Sequence, residues 1–135
     1  MMLTSKSYIF FVLLPILVSC STNETKPDIN RELMIYEQNL NEIFDGEHYF
    51  QNYSYGKYSS IKIYNENYKT AILYLHGRGL NPNEQNLAYP IRTIMSDKFN
   101  TYSIQLPVLK KESTYYEYMK IFYDSDERIK SAIEN

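Results

Sequence analysis

The first half of the chain carries two kinds of hydrophobic pattern. Over residues 31–44 apolar side chains recur at spacings of three and four, which predicts an amphipathic helix closed by Asp45-Gly46. Residues 49–55 and 60–64 alternate apolar with polar side chains on either side of a turn at Gly56-Lys57. This alternation predicts two strands paired as a β-hairpin.

A different pattern follows at residues 70–75, a continuous run of apolar, β-favouring side chains. Such a run is typical of a strand buried on both faces in a parallel sheet covered by helices. It leads directly into His76-Gly77-Arg78-Gly79. Asn81, Pro82 and Glu84 then have the spacing of a helix N-terminus, with Asn81 as N-cap. Pro90 interrupts the helical stripe of residues 87–99, so the helix either kinks or begins there.

The last part of the chain continues the same alternation of elements. Residues 101–106 predict a short strand stopped by Pro107, and the apolar positions of 115–133 predict a final helical region. Asp124 with Glu127 has the spacing of a capping box that would restart this helix. Strand, loop, helix, strand and helix in this order indicate an α/β fold with about four strands and flanking helices.

The N-terminal residues have the pattern of an export signal. Lys6 precedes an apolar run of eleven residues, 8–18, which is too short to span a bilayer but suits a signal-peptide core. Leu17-Val18-Ser19-Cys20 resembles a bacterial lipobox, and this resemblance implies that Cys20 is lipidated after cleavage. The alternative for Cys20 is an ordinary buried or free thiol. Stable anchoring at Cys20 would take more than one acyl chain.

The resemblance divides the chain into a lipoprotein signal peptide, residues 1–19, a polar tether, residues 20–30, and a partial α/β domain, residues 31–135. The chain would then contact membrane lipid through Cys20. Ser21, where an Asp would favour the inner membrane, implies a lipid anchor in the outer membrane facing the periplasm. Cleavage before Cys20 leaves 116 of the 135 residues.

The composition of the chain excludes several kinds of binding site. Lys and Arg number 14 against 16 Asp and Glu, a net charge of −2, so no broad basic face for nucleic acid is expected. A single cysteine excludes an internal disulfide framework and a cysteine-rich metal site. The sequence therefore indicates no nucleic-acid partner, no metal and no organic cofactor.

The turn at residues 76–79 is the candidate site. A glycine-rich turn between a strand and a helix places backbone N–H groups at the carboxyl edge of the sheet, where ligands of α/β folds bind. Such a turn cradles phosphate or forms part of an oxyanion hole. The pattern G-x-G-x-x-G and a Walker lysine are both missing, so phosphate binding is the weaker interpretation.

The segment Leu73-Tyr74-Leu75-His76-Gly77-Arg78-Gly79 resembles the third strand and HG loop of α/β-hydrolases. With SIQLPVL downstream, about half of the chain, residues 71–135, resembles a bacterial α/β-hydrolase-like family of unknown function. The resemblance implies that the N–H of Arg78 is a catalytic oxyanion donor for a small acyl substrate. His76, Gly77 and Gly79 would shape the loop, with His76 mainly structural. The Arg78 guanidinium would be solvated or ion-paired, or would meet an anionic substrate group.

The other parts of a serine hydrolase are missing from the sequence. None of the four glycines frames a serine as G-x-S-x-G, and both histidines, His48 and His76, precede the place of the nucleophile. Ser103 is expected to be an ordinary buried strand residue, and Asp124 and Asp126 are expected to be cap or surface acids. This chain alone is therefore expected to be inactive.

Two functions remain open. The chain is either the N-terminal portion of a membrane-anchored α/β-hydrolase for esters or other acyl compounds, or a non-catalytic binding or structural lipoprotein. Under the first hypothesis the family's strand order, 1-2-4-3-5, would leave residues 70–75 as an open edge of an incomplete sheet. An open apolar edge is an aggregation liability, so marginal stability is expected.

Overall fold

The computed structural model of this chain describes residues 25–42 and 45–135. The signal peptide and Cys20 lie outside these residues, so the lipid anchor stays a prediction. Among the helices of the described part, none has both the length and the apolar character needed to cross a membrane.

A mixed four-stranded sheet forms the centre of the described fold. Its strands lie in the order β1-β2-β4-β3. β2 pairs antiparallel with β1 and with β4, whereas β3 and β4 are parallel. The predicted α/β fold with four strands is confirmed at this level. The strands are β1 (Glu47–Tyr53), β2 (Gly56–Ile63), β3 (Ala71–Leu75) and β4 (Asn100–Ile104).

The predicted hairpin is β1 with β2. Tyr53 pairs with Gly56, so the turn consists of Ser54 and Tyr55, two residues before the predicted position at Gly56-Lys57. Gly56 has φ +144°, a backbone conformation that residues with a Cβ rarely adopt. The glycine therefore begins β2 immediately after the turn.

β3 pairs in parallel with β4, but its predicted burial on both faces is wrong for the described fold. Ala71 and Leu75 are exposed and the three residues between them are half-buried. The reason is its place in the sheet, since β4 is its only neighbour among the described strands. β3 is thus an edge strand, as the strand order expected from the resemblance requires.

Helices cover both faces of this sheet. Gln51 and Tyr58, which pair across β1 and β2, donate hydrogen bonds to backbone oxygens of α4. Ser103 of β4 lies on the opposite face, because side chains alternate along a strand, and it contacts Arg92 of α2. The four helices are α1 (Ile29–Asn39), α2 (Ala88–Met95), α3 (Tyr115–Met119) and α4 (Phe122–Glu134).

The N-terminus of α2 differs from the prediction at Asn81–Glu84. These residues form a turn, and the helix begins only at Ala88. The Glu84 carboxylate accepts hydrogen bonds from the N–H groups of Asn86 and Leu87, so it serves the segment just before the helix. Pro90 lies in the first turn of α2, where a backbone N–H has no intrahelical acceptor to lose.

The predicted capping box at Asp124 and Glu127 is also wrong. The final helical region divides into α3 and α4, and α4 begins at Phe122 without a side-chain cap. Asp124 instead lies in its first turn. A reciprocal capping box does open α3, formed by Thr114 and Glu117. The first helix begins at Ile29 with Asp28 as N-cap and ends at Asn39, earlier than predicted.

Arg128 is buried where α4 meets α1 and the sheet. Its guanidinium donates to both carboxylate oxygens of Glu32, at 2.9 and 3.0 Å, and to the carbonyl oxygen of Gln105 at 2.9 Å. The same group lies over the rings of Tyr53 and Tyr58. This cluster joins both ends of the described chain to the end of β4.

Arg92 is equally buried, on the other face of the sheet. It donates to the carbonyl oxygen of Pro82 and to Oδ1 of Asn83, both at 2.8 Å, and to Oγ of Ser103 at 3.0 Å. The Asp45 carboxylate lies 3.5 Å away and is partly exposed. Arg92 thereby fastens the turn before α2 to the middle of β4.

Candidate functional site

The loop that follows β3, residues 76–80, lies at the carboxyl edge of the sheet. The N–H of Leu80 donates to the carbonyl oxygen of Gly77 at 3.1 Å, which closes a tight turn. Gly79 has φ +71°, whereas Gly77 has no positive φ. Only the second glycine is therefore required by backbone conformation.

His76 ties this turn to the end of β4. Its Nε2 accepts a hydrogen bond from the N–H of Leu106 at 2.9 Å and lies 3.0 Å from the side-chain amide of Gln105. Because Nε2 accepts, the ring proton resides on Nδ1, which lies 2.7 Å from the carbonyl oxygen of Gly77. Both ring nitrogens therefore hold the loop in place.

The protonation state of His76 agrees with this geometry. Its side chain is almost fully buried, and burial lowers its pKa to about 4. The nearby charge of Arg128 acts in the same direction, while the hydrogen bond to Gly77 opposes it. His76 is therefore neutral at pH 7, with neither nitrogen directed at a substrate.

Arg78 lies at the exposed tip of the turn. Within the described part of the chain its backbone N–H has no protein acceptor. Its guanidinium lies over the ring of Tyr118, 5.7 Å from the ring centre. The residue therefore offers an open backbone donor together with a positively charged side chain.

Arg31 and Tyr118, which were not among the predicted site residues, complete the surroundings of the loop. A Cβ built on Gly79 would lie 3.5 Å from Nη2 of Arg31 and 3.6 Å from the hydroxyl oxygen of Tyr118. Arg31 also donates to the carbonyl oxygen of Leu109, and the N–H of Leu109 donates to the Tyr118 hydroxyl at 3.0 Å. In the sequence Tyr118 is one member of a helical stripe and Arg31 the start of a helix, so neither carried a local signal.

Ser103 and the aspartates do not form a catalytic arrangement with this loop. Ser103 is fully buried and its hydroxyl oxygen accepts from Arg92. Asp124 lies in the first turn of α4, and Asp126 lies within the same helix. Among residues 25–42 and 45–135, no group of three or more His, Cys, Asp or Glu side chains could hold a metal ion.

A larger groove of the described fold lies elsewhere. It has a volume of about 720 Å³ and runs along the α4 face of the sheet beside Tyr49, Lys62 and Tyr102. Burial raises the pKa of Tyr49 to about 12, so this phenol stays protonated, and Lys62 is paired with Glu47 at 3.3 Å. Neither group is activated for chemistry, and the loop after β3 remains the candidate site.

Comparison of the chain with protein-family models, with curated proteins and with solved structures gives no match. The described residues form a small α/β domain with a mixed sheet and flanking helices.

Proposed function

We propose that this chain is the oxyanion-loop portion of a lipid-anchored α/β-hydrolase-like protein acting on an ester or other acyl compound. The observation that carries the proposal is the open N–H of Arg78, presented at the carboxyl edge of β3 by a turn that His76 holds in place. A backbone donor preorganised in this way stabilises negative charge that develops on a carbonyl oxygen.

Two further observations support this assignment. The strand order β1-β2-β4-β3, with β3 parallel to β4, agrees with the order expected from the resemblance up to its fourth strand. Leu75 and Leu80, at the two ends of the loop, are more than two-fifths exposed. They provide an apolar surface beside the donor, suited to the hydrocarbon part of an acyl group.

The proposal assigns this chain a donor but no nucleophile. No G-x-S-x-G sequence occurs in the 135 residues, and the oxygen of Ser103 is directed at Arg92. We therefore expect the chain by itself to hydrolyse 4-nitrophenyl butyrate no faster than buffer does. Saturable turnover would contradict this part of the proposal.

The oxyanion donor is tested with butyrate as probe, because its carboxylate mimics the charged oxygen. Amide NMR spectra of the chain are expected to show a saturable shift of the loop amides, at Arg78 and at its neighbours Gly79 and Leu80, and the neighbours serve as the readout in the variants. Arg78→Pro removes the N–H, and Arg78→Ala keeps the N–H but removes the guanidinium. The matched expectation is a lost response in Arg78→Pro and a retained, weaker response in Arg78→Ala, with unchanged circular dichroism in both variants.

The outcomes of this experiment separate the backbone from the side chain. Equal loss in both variants would show that only the guanidinium binds, which would overturn the oxyanion assignment. A wild-type spectrum without a shift near Arg78 at saturating butyrate would overturn it as well.

The lipid anchor has its own test. A fatty-acid probe supplied to cells expressing the full chain is expected to label it, and Cys20→Ala is expected to abolish the label. Labelling that persists in Cys20→Ala would refute attachment at this residue.

A non-catalytic binding lipoprotein is the second candidate, favoured by the engagement of both His76 nitrogens and of the Ser103 hydroxyl in structural hydrogen bonds. An activity-based fluorophosphonate probe distinguishes the two in envelope fractions. A labelled product of the same gene that is longer than this chain would support the hydrolase, whereas ligand binding with no labelled product of any length would support the binding protein.

A further inference from the structure

We propose that Arg31 and Arg78 form a subsite for a second anionic group, a carboxylate or a phosphate, on the ligand that reaches the Arg78 N–H. This inference rests on the proposed function and names the class of its ligand, an acyl compound that carries a negative charge away from the reacting carbonyl.

The two guanidinium groups approach the loop beside the same tyrosine. Nη2 of Arg31 and the hydroxyl of Tyr118 both lie on the side of Gly79 where a side chain would project. The guanidinium of Arg78 lies over the face of the Tyr118 ring. Because Gly79 has no side chain, the Arg31 guanidinium and the Tyr118 hydroxyl pack directly against the loop, in van der Waals reach of the place where a Cβ would stand.

Neither arginine has a carboxylate partner in the described part of the chain. The buried arginines differ in this respect, since Arg128 binds Glu32 and Arg92 lies beside Asp45. Arg78 is exposed and Arg31 is half-buried, and a single arginine without a carboxylate partner is an ordinary feature of a protein. Two of them beside one candidate loop concentrate positive charge at the position where a substrate would bind.

Arg31 is held in position without being neutralised. Nη1 donates to the carbonyl oxygen of Leu109. The other N–H groups of this side chain have no acceptor in the part of the chain that the structure describes, and a guanidinium can use such groups for a second, forked interaction with a carboxylate or a phosphate. The Tyr118 hydroxyl accepts from the N–H of Leu109, and in the residues described its own proton has no protein acceptor. This hydroxyl supplies a third donor for the same anion.

Three acids with a shared two-carbon spacer test the subsite on the full chain. Butyrate carries one carboxylate, succinate carries two, and 3-phosphonopropionate replaces the second carboxylate by a phosphonate. Dissociation constants are measured from the shift of the loop amides. We expect succinate or 3-phosphonopropionate to bind at least about tenfold more tightly than butyrate, because charge-assisted hydrogen bonds are the stronger class.

Arg31→Gln and Arg78→Gln should each reduce the preference for the dianion to less than about threefold, since each removes one guanidinium. Lys57→Gln is the matched control, because it removes one exposed positive charge on β2 and should leave the preference unchanged. The stronger of the two dianions identifies the second group as a carboxylate or as a phosphate.

The failures of the two proposals are distinguishable. A butyrate response at Arg78 with no preference for either dianion overturns the subsite and leaves the oxyanion donor supported. A dianion preference that Lys57→Gln reduces as much as Arg31→Gln does would reflect net charge only and would also overturn the subsite. Absence of any loop response to butyrate overturns the proposed function instead.

Discussion

The two buried arginines bind the fold together in different ways. Arg128 has a full ionic partner, because its guanidinium makes two hydrogen bonds to the nearly buried carboxylate of Glu32. Arg92 is surrounded mainly by neutral oxygens from Pro82, Asn83 and Ser103. The first arrangement compensates a buried charge with an opposite charge, and the second compensates it with dipoles.

Both arrangements act on the candidate loop from opposite ends. Arg128 binds the carbonyl oxygen of Gln105, whose side chain lies against His76 at the start of the loop. Arg92 binds the turn at Pro82 and Asn83 just after it. A short exposed loop is thus kept in place by two buried charges, one on each face of the sheet.

The largest effect is expected where an ionic partner is removed. Glu32→Leu leaves Arg128 buried without a carboxylate, and we expect a loss of about 3–5 kcal/mol in the free energy of unfolding. Urea denaturation measures it. The double variant Glu32→Leu/Arg128→Met removes both charges and should recover most of the loss. A decrease of less than about 1 kcal/mol in the free energy of unfolding of the single variant would show that water reaches the Arg128 guanidinium.

Each buried arginine lies near a histidine, so the two regions should also differ in how their stability depends on pH. Burial, with Arg128 as a smaller cause, lowers the pKa of His76 to about 4, and burial together with Arg92 lowers the pKa of His48. An unfolded histidine binds a proton below about pH 6.5, so the unfolded state holds more protons between pH 6.5 and pH 4. The contribution of these neutral histidines to the free energy of unfolding is therefore fully present above about pH 6.5 and is lost as the pH decreases.

For His76 this loss amounts to roughly 3 kcal/mol by pH 4. The measurement is the free energy of unfolding between pH 4 and pH 8 for the wild type, His76→Gln and His48→Gln. His76→Gln is expected to remove most of the slope, and His48→Gln a smaller part of it. Parallel curves for the wild type and His76→Gln would contradict the buried neutral state of His76.

Removing the other arginine should cost less. Arg92→Met eliminates the buried charge and leaves three oxygens without their donor, for which we expect a loss of about 2 kcal/mol in the free energy of unfolding. Ser103→Ala removes one of these acceptors and should cost about 1 kcal/mol. A greater loss in Arg92→Met than in Glu32→Leu would reverse the ranking of the two anchors.

The smallest effect concerns the loop between the anchors. Gly79→Ala places a side chain at φ +71° and is expected to cost about 1 kcal/mol of stability. Gly77→Ala meets only the Leu80 side chain, at 3.4 Å, and should cost less than about 0.5 kcal/mol. Equal losses in the two variants, measured by thermal unfolding, would show that the loop is not held in the conformation described.

Local pattern was sufficient for much of the fold. Alternating residues predicted the hairpin of β1 and β2, because strand periodicity follows from the backbone itself. The apolar run of β3 predicted its parallel pairing but not its exposure at the edge of the sheet. The helix starts were predicted less well. Asn81-Pro82 has the residues of an N-terminus, yet Arg92 holds Pro82 and Asn83 in a turn against β4.

The candidate site, too, was predictable from the sequence only in part. The loop His76-Gly77-Arg78-Gly79 and its place after a strand were predictable from the sequence, because glycines and strand pattern are local signals. The strand order expected from the resemblance also made β3 an edge strand. The meeting of Arg31, Arg78 and Tyr118 around Gly79 was visible only in the tertiary structure. This arrangement depends on contacts between residues far apart in the chain, and a local periodic pattern does not specify which distant residues come into contact.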